Sequence, residues 1–514
     1  MLIYSCEQMR VIEQNANVNG YDYYDMMLTA GKNCAEEIHS VLSAQSIPNR
    51  NITVLCGAGK NGGDGFVISG RLSDYGYNVR IVLVNGYPAA HEAKLAYASL
   101  NDKPVIVSDL DNNYDTCVYS CLNSCAVVDC IFGIGFHGFL DRKLAGFFKD
   151  ISKSDAKKFS VDIPSGLEGN DGKINGVYFK TDYTFAITCY KPVHIIKPAS
   201  DACGIIKLVD IGIKKNCYEA VSSEIFFSAG FDEIKSFFKP RNPESNKGDY
   251  GRLLSIAGSY TMQGAAVMAA NAAINSGVGI VDCVFPDMAY PAIASKVTEA
   301  LMSPMKSNSD GFLSADNIGE ILKKAEKSTA ILLGCGLGYN TDTVKIVESV
   351  LRNVNKTIIL DADGINAISG NIHILKETSA NVIITPHPGE MARLTGKTVE
   401  EIQNNRVKTA KDFALKYGCV VVLKGSNTII ASPSGSVCIN RTGNAGMATG
   451  GSGDVLAGII SSFVCQSMGV NQATVAGVYI HGYCGDIVKD RFSMHGVTPT
   501  KIIDILAEVL SQFE

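Results

Sequence analysis

Nowhere in this chain of 514 residues does an uninterrupted apolar run reach the length of a membrane span. The longest weakly polar stretch, GAAVMAANAAINSGVGIVDCVF, contains Asn271, Asn275 and Asp282 and reads as a helix followed by a strand. No membrane association is expected. A surplus of one charge is also missing: Lys and Arg number 46 against 51 Asp and Glu, a net charge of −5. That balance gives no electrostatic case for nucleic acid or an anionic membrane surface. The opening MLIYSCEQMRVIEQ has no basic stretch leading into an apolar core, so no secretory signal is expected.

What is present is glycine and cysteine. The 50 glycines gather in loops without a period, which excludes a collagen-like or low-complexity chain. The 16 cysteines sit in apolar runs such as CVVVLKG, unlike the short, loop-rich frame of a secreted disulfide protein. Cys117, Cys121 and Cys125 fall four apart, yet the spacing matches no iron–sulfur or zinc pattern, and they are read as buried small hydrophobes. The expected location is the reducing cytoplasm.

At this length two domains are expected. Strand candidates in the first half are 52–59, 79–86, 126–135, 159–166 and 182–188, alternating with helical patterns. They are continuous rather than alternating apolar runs, as suits parallel strands covered on both faces. A charged, Pro- and Gly-bearing stretch at 231–251 breaks the series. A second series follows at 251–258, 278–286, 329–338, 356–364, 380–389, 418–425 and 427–435. The expected fold class is therefore α/β with two domains, 1–215 and 236–514, joined by a linker at 216–235.

Three motifs in the first half carry polar groups that packing does not require. GAGKNGGDGFVISGRL (57–72) lies between a strand and a helix. It has no GK[ST] to make a Walker A loop and lacks the Rossmann acid at the usual distance. Its glycines nevertheless let backbone amides approach a phosphate, and Asn61 and Asp64 add oxygen ligands. Asp129 precedes GIGFHGF (133–139), and Asp162 precedes Ile-Pro-Ser-Gly. An acid at the end of a buried strand is costly unless it is paired, metal-bound or catalytic.

NGGDG, VDCIFGIGFHG, VDIPSG and the later YKP together resemble the NAD(P)H-hydrate epimerase (YjeF N-terminal) domain over about 1–215. The resemblance implies a Rossmann-like three-layer α/β/α sandwich. It implies a site for hydrated NADPH at Lys60, Asn61, Gly62, Gly63 and Asp64, at Gly133, Ile134, Gly135, Phe136, His137, Gly138 and Phe139, and at Asp162. Potassium would be held by Asn61, Asp129 and Ser165, and Asp162 and Lys191 would be the acid–base pair. The family usually has Asn at the position of Lys60. The same domain also serves as a non-catalytic scaffold in messenger-RNA decapping, so likeness alone does not give activity; retention of the acids favours an enzyme.

In the second half, GNAGMATGGSGDVLAGII (443–460) places Asp454 where a glycine turn opens a helix. Unpaired amides there suit an anion, and the aspartate is then either a helix cap or a proton-handling group beside the bound charge. His387, between Pro386 and Pro388, should point into a crevice. With KGDYGRLLSIAGS, GAAVMAANAAINSGVG, GCGLG, LDADGIN, TPHPGEMARLTG and VVLKGSNT, the half resembles the ribokinase-like NAD(P)H-hydrate dehydratases over about 236–514. The implied ADP site is Lys424, Gly425, Ser426, Asn427 and Thr428, with the phosphates at Gly450, Gly451, Ser452 and Gly453. The hydrate would meet Ala265, Gly336, His387 and Asp454, with Asp454 as base and magnesium on the phosphates. Two positions depart from the family: Asn246 stands where it often has His, and Cys335 where it has the proline of GPGLG.

The resulting expectation is one chain performing two repair steps. It interconverts the R and S hydrates of NADH and NADPH, and dehydrates the S form with ADP, giving AMP and phosphate. The expected assembly is a homo-oligomer, tetramer or larger. The alternatives are a ribokinase-like small-molecule kinase with an appended nucleotide-binding domain, and a non-catalytic N-terminal module.

Overall fold

The computed structural model describes residues 2–45, 48–221 and 226–514. They form two compact units, Leu2–Phe226 and Phe227–Glu514.

The first unit is built on seven parallel strands: β1 (Asn51–Cys56), β2 (Asn78–Leu83), β3 (Val105–Asp109), β4 (Ala126–Cys130), β5 (Lys157–Val161), β6 (Tyr183–Ile187) and β7 (Ile205–Val209). Their order is β3-β2-β1-β4-β5-β6-β7. The direction of winding reverses between β1 and β4, which leaves a crevice beyond their C-terminal ends. The apolar strands are explained by cover on both sides. Val54, Cys56 and Val128 pack with helices α2 (Tyr23–Ser43) and α3 (Lys60–Asp74) through Ile38, Phe66 and Ile68. Leu55 and Val127 face the other way, onto Cys117, Cys121, Phe147 and Phe148. This is the three-layer sandwich the sequence implies.

The second unit has strands β8 (Arg252–Ile256), β9 (Ile280–Pro286), β10 (Leu301–Met305), β11 (Ala330–Leu333), β12 (Thr357–Leu360), β13 (Val382–Ile384), β14 (Val420–Leu423), β15 (Ile429–Ala431) and β16 (Val437–Ile439). They run in the order β16-β15-β14-β13-β12-β11-β8-β9-β10, parallel except for the hairpin pairings of β15 and β16. One face is covered by helices α4 (Gln263–Asn275), α7 (Ser452–Cys465), α8 (Val470–Arg491) and α9 (Pro499–Leu510). Small residues let α4 and α7 meet closely: a Cβ at Gly458 would come within 2.3 Å of the Ala269 carbonyl oxygen. α7 packs beside α4 over the central strands of the sheet, and its first turn carries Asp454.

The boundary between the two units falls within the stretch 216–235. Cys217 and Val221 pack with Met9 and Ile12 of helix α1 (Cys6–Val18), while Ile234 joins the core of the second unit, because each side carries apolar residues its neighbour can bury. Residues 222–225 of that stretch lie outside the described residues. Strands β3, β7, β10 and β16 were not foreseen; β3, β7 and β10 are sheet edges where most residues are not fully buried, and β16 is only three residues long. All 16 cysteines are free and buried, in keeping with their reading as small hydrophobes.

Candidate active sites

The first site is a cavity of about 580 Å³ at the crevice of the N-terminal sheet. Its floor is the start of α3, whose glycines are required by close approach: a Cβ on Gly62 would lie 1.8 Å from the Gly57 carbonyl oxygen. Asp162 follows β5 with φ +67°, a left-handed conformation that costs a non-glycine residue on the order of 1 kcal/mol and marks a constrained position. The constraint comes from its neighbours. Lys191 Nζ donates to Asp162 Oδ1 at 2.5 Å and to the Ile187 carbonyl at 2.7 Å. His194 accepts from the Lys191 amide through Nδ1 (3.1 Å) and donates through Nε2 to the Asp162 carbonyl (2.7 Å). Burial, then the lysine charge, push the His194 pKa down to about 4, so its ring is neutral. For Lys191 burial opposes the charge, but Asp162 prevails and the pKa is raised. Lys191 is 1% exposed, so a paired ammonium is held at the cavity wall.

Two further acids line the cavity. Burial raises the Asp64 carboxyl, reinforced by Asp162 and Glu13; burial and Asp162 also raise Glu13. Asp129 lies behind them, fully buried. Its carboxylate accepts from the Ser165 amide (2.8 Å) and hydroxyl (2.6 Å), and from Ser160 Oγ and the Ile131 amide at 3.2 Å. Burial nonetheless lifts its pKa to about 6. Asn61 donates to the Phe132 carbonyl at 2.8 Å.

The second site lies at the strand ends of the C-terminal sheet. Asp361, directly after β12, accepts from Lys424 Nζ (2.9 Å) and Thr385 Oγ1 (2.5 Å), with Cys335 Sγ 3.6 Å from its other oxygen. The next residue, Ala362, has φ +46°, so the turn that aims Asp361 is strained. Burial opposes the Asp361 charge, but Lys424 and the hydroxyl hold its pKa low. Lys424 also approaches Glu390 at 3.9 Å, and it would lie 3.3 Å from a Cβ placed on Gly453. Glu390 caps α5 (Pro388–Thr395) by accepting from the His387 amide at 2.7 Å, and burial raises its pKa to about 7. Asp454 sits in the first turn of α7. Burial, then the negative Asp361, raise its carboxyl to about 6. Oxygens of Asp361 and Asp454 and the Cys335 sulfur all lie within 4.8 Å of one another. Burial, then Lys424 and Arg393, lower the His387 pKa, leaving a neutral, half-exposed ring at the site's edge.

A family model described as NAD(P)H-hydrate dehydratase matches residues 253–508, and one described as YjeF-related protein N-terminus matches 23–193. A bifunctional NAD(P)H-hydrate repair enzyme of Moorella thermoacetica is 32% identical over 95% of this chain and 92% of its own. One from Thermofilum pendens is 33% identical over 89% and 87%. The chain belongs to this family. Among solved structures, an ADP/ATP-dependent NAD(P)H-hydrate dehydratase of Bacillus subtilis, co-crystallised with ATP and Mg2+, is 33% identical, covering 56% of this chain and 99% of that one with a TM-score of 0.49.

Within this repair-enzyme chain the anticipated site residues divide. Lys60, Asn61, Asp64, Gly133, Ile134, Gly135, Phe136, Asp162 and Lys191 line the first cavity. Gly62, Gly63, His137, Gly138 and Phe139 lie outside that lining: Gly62 and Gly63 are buried in α3, Phe139 is 75% exposed, and Gly138 N donates to Glu168 at 3.0 Å. Lys60 turns its ammonium over the Tyr23 ring at 3.6 Å, a contact the family's Asn cannot make. In the second unit Gly336 and Ala265 are in contact, Cβ to Cβ at 2.7 Å were Gly336 an alanine. Lys424 does not reach outward with its loop; its side chain turns back to Asp361. Asp361, Glu390 and Thr385 were missed as site residues. All three stand in the quoted motifs LDADGIN and TPHPGE, and the same rule that drew Asp129 and Asp162 out, an acid at a buried strand end, applies to Asp361.

Proposed function

We propose that the chain carries out both repair steps, epimerising R and S NAD(P)H hydrates in its first unit and dehydrating the S hydrate in its second. The observation that carries this reading is alignment over nearly its whole length with proteins that join the two activities.

In the first unit, Asp162 is the group that moves a proton at the hydrated carbon, and Lys191, donating to its Oδ1, orients it. Asn61, Asp129 and Ser165 supply hard oxygens next to that pair, and the buried Asp129 carboxyl, lifted to about 6, fits a monovalent cation as its counter-charge. Potassium would supply fixed positive charge near the nucleotide phosphates.

In the second unit, Asp454 takes the proton from the ring hydroxyl as its oxygen bonds to the terminal phosphorus of ADP, and AMP leaves. Loss of a ring proton with phosphate then restores NAD(P)H. The amides of the 450–453 turn stabilise the charge on the transferred group. Three acids (Asp361, Glu390 and Asp454) face one lysine, a surplus of hard negative charge that fits magnesium, with Asp361 and Glu390 as the groups facing it. Magnesium would neutralise the phosphates. ADP is the favoured donor. We assign the chain to the cytoplasm, where its buried thiols stay reduced, and to a homo-oligomer of four or more subunits, which light scattering tests. Among the described residues no helix is long and apolar enough to cross a membrane.

The test uses chemically hydrated NADH containing both epimers, followed at 340 nm with magnesium and ADP or ATP. Complete recovery of absorbance, faster than spontaneous epimerisation allows, is expected with ADP. Recovery of the S fraction alone would remove the epimerase, and no recovery with either nucleotide would remove the repair reading.

A further inference from the structure

Arg406 opens helix α6 (Arg406–Tyr417) and is 8% exposed. Its guanidinium spans three carbonyls of the loop after β14. One amino group donates to Ser426, and the other donates to Leu423 and Asn427, both at 3.2 Å. Its Nε has no acceptor, and no acidic side chain pairs with it among the described residues. Burial draws its pKa down to about 10, so it stays charged at neutral pH. A buried cation is ordinarily matched by an acid. This one is met only by backbone dipoles.

The loop is shaped around it. Gly425 has φ +150°, and a Cβ there would lie 2.8 Å from the guanidinium. Asn427 is left-handed, with φ +54°. The Gly425 carbonyl accepts from Thr428 Oγ1 at 3.1 Å. With the carbonyls of 423, 425, 426 and 427 all engaged, the exposed Gly425 and Ser426 amides make no hydrogen bond to the described protein. The loop thus shows donors on its outer side and a positive charge beneath.

We propose that Arg406 is a positioning residue for the nucleotide. It turns the loop carbonyls inward so that the Gly425 and Ser426 amides meet ADP, and its charge, unmatched by any acidic side chain among the described residues, lends the loop a positive field toward the anionic nucleotide. This rests on the reading of 424–428 as the nucleotide loop. Arg406 does not touch the reacting atoms, so its removal acts on binding and not on the chemical step.

The test is Arg406→Gln and Arg406→Lys in the full chain, with ADP binding measured calorimetrically and KM and kcat of dehydration measured with the S hydrate. For Gln, ADP Kd and KM should rise by about ten- to a hundredfold, with kcat at saturating ADP and the KM of the hydrate nearly unchanged. ADP binding by the Gln variant should also lose part of the wild-type salt dependence, which a purely structural role would not alter. Lys keeps the charge but cannot span three carbonyls, and should fall between. If Gln fails to fold, the Lys variant decides, since an ADP KM equal to wild type overturns the proposal. A fall in kcat at constant KM overturns it too. Wild-type enzyme that needs neither ADP nor ATP would instead sink the nucleotide-loop reading itself.

Discussion

Asp454 is a carboxylate kept where it is less stable as an anion, half-buried and facing Asp361. Its pKa of about 6 is suited to a base that must hold and release a proton near neutrality. Because that pKa is raised, ionising Asp454 opposes folding above about pH 6, and the penalty vanishes as pH falls into the ordinary carboxylate range. Asp454→Asn should therefore lose dehydratase activity by about 10²-fold or more, while the second unit melts at a higher temperature at pH 7.5. At pH 4 the gain should disappear. The dehydratase kcat/KM of the unchanged chain should fall with an acidic limb near pH 6. The Lys191–Asp162 pair behaves in the opposite way. With both partners buried, Lys191→Met leaves an uncompensated anion and should cost the first unit about 3–5 kcal/mol, read from its denaturant midpoint. The acids at strand ends were legible from sequence because a buried carboxylate has few innocent uses. The direction of the Lys424 side chain was not legible, since the loop's exposed glycine and serine suggest an outward residue and only the fold brings Asp361 beneath it.

At the scale of elements, both sites are strand ends meeting a glycine-rich helix start, and the glycines are steric necessities there. Gly62→Ala should abolish epimerisation and lower the melting temperature of the first unit, because the new methyl meets the Gly57 carbonyl within the turn itself. The dehydratase rate of the same variant should be unchanged. Central strands such as VVVL at 420–423 were readable because both their faces are buried. The edges were not. In β10, LMSPM, Pro304 and the exposed Leu301 remove the apolar continuity that identifies an inner strand, and Pro is tolerated there because a sheet edge leaves an amide unpaired. In β3, Ile106 and Val107 are exposed, one on each face, so the apolar run does not mark a buried strand.

At the scale of the molecule, one chain carries two α/β units, each with its own core and its own acid beside a lysine. The central claim is that Asp162 and Asp454 carry separate reactions on the same substrate pool. The most direct measurement is recovery of NADH absorbance from the mixed epimers, with magnesium and ADP, by Asp162→Asn and Asp454→Asn side by side. Asp162→Asn should recover the S fraction at the wild-type rate and then stall at the slow spontaneous rate. Asp454→Asn should recover almost nothing, yet still bring an R-enriched sample to the epimer equilibrium, read by chromatography. Loss of both activities in either variant, or full fast recovery by Asp162→Asn, would contradict the account.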